Sequence, residues 1–104
     1  MSNEEIYKIL ESVGVPVAYN VFKAPQTPPY ICYYELYSNN FFADCEVYAQ
    51  IDRVIVELYV AKRDEELEIK LETQLALIGG YEKTDNYIDT EKLYKIDYEL
   101  EVVR

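Results

Sequence analysis

The chain has 104 residues, half of them apolar, which is enough to close one hydrophobic core and too few for two ordinary domains. Its 20 acidic residues outnumber 10 basic ones, and a net charge of −10 would repel a nucleic-acid backbone or an anionic membrane surface. Histidine is absent, so the commonest general base and metal ligand at neutral pH is missing, as is any Ser-His or Cys-His pairing, which argues against an enzyme.

No stretch approaches the roughly 18 to 20 apolar residues of a membrane-spanning helix, and no basic-then-apolar leader opens the sequence. These features predict a soluble, intracellular protein with no membrane partner. Cys32 and Cys45 both fall in apolar or aromatic surroundings on strand or strand-edge positions, where a free thiol acts as a small hydrophobe.

Ser2 with Glu5 forms a capping box, and Ile6, Ile9, Leu10 and Val13 follow at helical spacing up to Gly14 and Pro16, predicting a helix over about residues 3–13. Val17, Tyr19 and Val21 alternate with Ala18, Asn20 and Phe22, a strand pattern that the proline-bearing loop Lys23 to Pro29 ends. Tyr30 to Tyr37 reads as a second strand, followed by the polar run Ser38-Asn39-Asn40 and a hairpin loop near Phe41 to Asp44. A long extended run then goes from Cys45 to Val60. Val47, Ala49 and Ile51 share one parity and Val54, Val56, Leu58 and Val60 the other, so a bulge or kink is expected near Asp52-Arg53.

Asp64 is the expected N-cap of a second helix whose apolar face is Leu67, Leu71, Leu75 and Ile78, with Gly79-Gly80 as its C-cap. Tyr81 to Ile88 predicts a fourth strand, with a turn at Asp89-Thr90-Glu91. Tyr94, Ile96, Tyr98, Leu100 and Val102 mark one face of a half-buried antiparallel fifth strand. The order helix, three strands, helix, two strands predicts a two-layer α+β domain over residues 1–104. Its mainly antiparallel five-stranded sheet carries both helices on one face.

Chemical motifs are few. Asp85, Asn86, Asp89 and Glu91 lack the spacing and glycine of a calcium loop, and Gly79-Gly80 follows a helix where a phosphate cradle precedes one, so neither a metal nor a cofactor is expected. The twelve tyrosines are the unusual feature, because tyrosine suits both strands and wet interfaces. Tyr30, Tyr33, Tyr34 and Tyr37 occupy both faces of one strand and cannot all enter one core. Asn39, Asn40, Phe41, Phe42 and Asp44 around the expected hairpin loop, with Gln26 in the proline loop and Tyr30, Tyr34 and Tyr37, are therefore the candidate interface residues.

Several fragments recur together: Gly14-Val15-Pro16-Val17-Ala18-Tyr19 through Phe22, Pro29-Tyr30-Ile31, Asn40-Phe41 with Ala43-Asp44, Val56-Glu57-Leu58-Tyr59 with Lys62-Arg63-Asp64, and Thr90-Glu91-Lys92-Leu93-Tyr94. In order and spacing they resemble the small tail-terminator and head-tail joining proteins of siphophages and Gram-positive prophages. Cys45, in place of a polar residue, and Gly79-Gly80, before the fourth strand, depart from that pattern.

The resemblance implies a virion protein assembled in the bacterial cytoplasm. It would form a ring, usually a hexamer, that caps the head-proximal end of the tail tube. Its partners would be itself, the tail tube protein and the head-tail connector protein, with genome DNA passing through the bore without specific binding. Acids in loops or at strand ends, such as Asp44, Asp85 and Asp89, would line that bore. An acidic phage-encoded inhibitor that mimics nucleic acid is the competing expectation, and it would require carboxylates gathered in a stripe on one exposed face.

Overall fold

The computed structural model describes the backbone of residues 2–43 and 46–103 and the side chains of residues 2–36 and 51–103. Helix α1 (Asn3–Glu11) starts where Ser2 accepts a hydrogen bond from the Glu5 amide at 3.2 Å and donates its hydroxyl to the Glu5 carboxylate at 3.3 Å. Just past its end Gly14 has φ of +95°, a state glycine enters without the steric cost of a side chain. Helix α2 (Glu65–Leu75) is capped by Asp64, which accepts from the Leu67 amide at 3.1 Å, and Glu65, Glu66 and Glu68 lie at the positive end of its dipole.

The strands β1 (Val17–Tyr19), β2 (Tyr30–Ala43), β3 (Glu46–Val60), β4 (Tyr81–Ile88) and β5 (Leu93–Val103) form one sheet in the order β1-β2-β3-β5-β4. β1 runs parallel to β2, and the other three pairings are antiparallel. This is the α+β arrangement that the periodicity predicts, with both helices on the sheet's inner face.

Register explains the core. Ile31, Leu58 and Ile96 lie side by side across β2, β3 and β5, and Tyr33, Val56 and Tyr98 form the next row. These rows pack against Ile6 and Leu10 of α1 and Leu71 and Leu75 of α2, all buried. Each such aliphatic side chain contributes about 1.5–3 kcal/mol when fully buried. Among the described residues no helix is long and apolar enough to cross a membrane.

Four local expectations are corrected. β1 stops at Tyr19 rather than Phe22, because Asn20 adopts φ of +68° and the Val21 amide turns back onto the Tyr19 carbonyl at 2.9 Å. β2 does not end at Tyr37: pairing continues to Ala43 opposite Glu46, so Asn39, Asn40, Phe41 and Phe42 are strand residues and not a loop.

The bulge or kink expected near Asp52-Arg53 falls on the partner strand opposite Arg53, and β3 itself pairs with β5 without interruption from Ile51 to Val60. The irregularity lies on the facing strand between Glu35 and Tyr37, and a second one lies between Phe41 and Phe42. Asp52 keeps the inner parity of Val54 and is buried, which absorbs the phase change.

Finally, α2 is capped at Ala76, not at Gly79-Gly80. Gly79 instead lets the chain pass close to β5, because a Cβ there would lie 2.9 Å from the Glu101 carbonyl oxygen.

Candidate functional site

The β2–β3 hairpin outruns the rest of the sheet. Among the described residues β1 leaves β2 after Tyr33, β5 accompanies β3 as far as Ile51, and Asn40–Ala43 and Glu46–Gln50 pair with each other. At about 3.4 Å per residue this gives a two-stranded arm about 15 Å long, and the molecule measures 51 × 25 × 25 Å. A lone two-stranded ribbon is marginal in water, and its edges offer unpaired backbone groups. The arm is thus a segment that gains from a neighbour. Four expected interface residues, Asn39, Asn40, Phe41 and Phe42, lie on or at the root of it, and Tyr37 sits opposite Arg53 nearer the body. Asp44 and Cys45 lie outside the described residues.

Three other expected residues meet elsewhere. Gln26, Tyr30 and Tyr34 line a cleft of about 580 Å³ on the sheet's outer face, where residues 20–26 form one wall. Alternation puts Tyr33 into the core and turns Tyr30, Cys32 and Tyr34 outward, opposite Tyr59, Glu57 and Ile55. Tyr30 and Tyr59 stack at 4.8 Å and 18°, and Phe22 meets Tyr30 edge-on at 5.5 Å.

Glu57, only 7% exposed, accepts from Lys95 Nζ at 2.9 Å and from the Tyr59 hydroxyl at 3.2 Å. Burial followed by the nearby Glu57 pushes the Cys32 thiol up, and the same two causes push up the Tyr59 phenol. Both groups therefore hold their protons at neutral pH, and Cys32 is a buried free thiol rather than a nucleophile. Chemically the cleft is suited to binding, since neither Cys32 nor Tyr59 is activated as a nucleophile.

Glu57, Tyr59, Lys95 and Glu91 escaped the sequence reading as site residues. Glu57 and Lys95 looked like ordinary solvent-facing members of alternating strands, and only the register that sets Cys32 beside Glu57 and the wall over both reveal them.

A second polar cluster ties α2 to β4. Glu68, nearly buried, receives Arg63 Nε at 3.0 Å, Arg63 Nη2 at 2.8 Å and Lys83 Nζ at 2.9 Å. Lys83 also reaches Glu72 at 2.9 Å, and Tyr98 donates to Glu72 at 2.9 Å. The Arg63 hydrogen bonds outweigh burial and hold the Glu68 carboxyl below the usual carboxylate range. Asp85, expected at a strand end as a bore acid, is mid-strand in β4 and paired with Arg63 at 3.2 Å.

No protein-family model matches the chain, and no curated protein matches it in sequence.

Proposed function

We propose that this chain is a structural subunit of a bacteriophage or prophage tail, acting in a closed ring at the head-proximal end of the tail tube as a tail terminator or head-tail joining protein. The observation that carries this reading is the two-stranded arm projecting from a well-packed body. An arm with open edges on a rigid domain can reach the next copy around a ring while the body keeps its own fold. A capping ring also needs one surface that accepts the tube and another that stops further stacking. The arm and the outer-face cleft are two such separate surfaces, and the ordered sequence fragments resemble tail terminators. On this reading the chain acts as a scaffold.

The nucleic-acid-mimic reading is weaker because many of its acids are already neutralised. Glu57, Glu68, Glu72, Asp85 and Glu101 each lie within 4 Å of a lysine or arginine nitrogen, so they do not present a free stripe of charge.

The test is to shorten the arm. Replacing residues 40–50 by Asn-Gly closes the hairpin at the Asn39 and Ile51 pair with a favoured two-residue turn. The shortened chain should fold normally yet fail to complete tails in a complementation assay, leaving overlong tubes unattached to heads. Normal virions made with the shortened chain would sink the proposal.

A further inference from the structure

The outer-face cleft has a chemistry of its own. Its floor is the stacked Tyr30 and Tyr59 pair with Phe22 against it, and Glu91 is exposed at its rim. We propose that this cleft receives a lysine or arginine side chain projecting from a partner protein, held over the tyrosine rings and paired with Glu91. This goes beyond the tail reading and does not depend on it.

Three observations point to a cation. Aromatic rings attract cations through their quadrupoles, and here three of them converge in one cleft. A charged acid stands beside them: burial first pushes the Tyr30 phenol up, and Glu91 is among the neighbours that add to it. Half-buried Lys95 is already held by Glu57 at 2.9 Å and lies 3.7 Å from Asp97, so it does not compete for the rim. Lys23 is the lone cation in the lining and stands exposed on the loop wall.

Two further arguments make the occupant a protein side chain. A cleft of about 580 Å³ falls within the range of about 300–1,000 Å³ that encloses a compact group. A free guanidinium gains only weak binding from a few rings and one acid, enough to follow in a titration, and tight binding needs a larger interface to deliver the side chain. A chain of net charge −10 is complementary to a basic partner. An anion such as phosphate is disfavoured by Glu91 and by that net charge.

The experiment uses the isolated chain, labelled for NMR and titrated with Nα-acetyl-arginine amide, against the neutral isostere Nα-acetyl-citrulline amide. Arginine amide should produce saturable shifts confined to Phe22, Tyr30, Tyr59 and Glu91, with citrulline at least about fivefold weaker. Glu91→Gln, at an exposed position, should weaken arginine binding about two- to fivefold and leave other resonances in place. Tyr30→Leu should remove the site-specific shifts, and if that variant misfolds, Glu91→Gln decides alone. Shifts scattered over surface acids, equal binding of citrulline, or unchanged affinity in Glu91→Gln would each overturn the proposal. None of these outcomes bears on ring formation, so the two proposals fail separately.

Discussion

Glu68→Gln removes one charge from the cluster that fastens α2 over β4 while keeping the side chain's shape. The glutamate oxygens accept three hydrogen bonds from two cations, and the side chain is 4% exposed. Glutamine leaves a single acceptor and turns an amide NH2 towards Arg63 and Lys83. A fully buried pair broken in this way costs about 3–5 kcal/mol. Here Arg63 and Lys83 are 37% and 32% exposed and keep Asp85 and Glu72 as partners, so part of the loss is recovered in solvent.

The expected cost is about 2 kcal/mol, in line with losing one or two hydrogen bonds to charged groups. For a domain of this size that lowers Tm by roughly 8–16 °C. Urea and thermal unfolding followed by circular dichroism at neutral pH measure it. The pH dependence gives an independent check of sign. Because the folded-state carboxyl of Glu68 is depressed, its stabilisation is present above the unfolded pKa and lost as pH falls through the folded one. The gap between wild type and variant should therefore narrow and close as pH falls below the usual carboxylate range and through the depressed folded value. A loss below about 0.5 kcal/mol, as for an ordinary surface change, or a gap that persists in acid, refutes the reasoning.

Other perturbations have equally definite outcomes. Asp97 is the carboxyl of opposite sign: burial pushes it up, the nearby Lys95 only partly offsets this, and its Oδ1 has no hydrogen-bond partner. Its ionised form therefore costs stability above the raised pKa, and Asp97→Asn should raise Tm at neutral pH but not in acid, as melts at the two pH values will show. Gly79→Ala should destabilise by about 1–3 kcal/mol, since the new Cβ meets the Glu101 carbonyl at 2.9 Å. Gly80→Ala, with nothing within 4 Å, should stay within about 0.5 kcal/mol, and equal urea midpoints for the two alanine variants would contradict that geometry. Leu71→Ala in the core should cost about 2–5 kcal/mol by the same measurement, and a change under 1 kcal/mol would place Leu71 outside the core.

Periodicity reveals most of this fold because its elements are amphipathic and their caps are local. Ser2 and Asp64 mark both helix starts, and the even-numbered apolar residues from Val54 to Val60 and from Tyr94 to Val102 mark the inner sheet face. What escapes is decided by partners far away in sequence. The run Ser38-Asn39-Asn40 is polar and turn-like, yet the facing strand holds it in register, so the hairpin extends to Ala43. Gly79 looks like a helix stop because only contact with the Glu101 carbonyl reveals its role. The cleft is half visible: Gln26, Tyr30 and Tyr34 stand out in the sequence, while Glu57 enters it through the β2–β3 register and Glu91 through the turn after β4, neither of which a local pattern encodes.

The central claim is the chain's place in a ring at one end of a tail tube. Electron cryo-microscopy of purified virions or detached tails, with this fold located in the density, tests it most directly. The account predicts a single closed ring at the head-proximal end, with each β2–β3 arm lying against the neighbouring copy. Copies scattered along the tube, or tails complete without the chain, would contradict it.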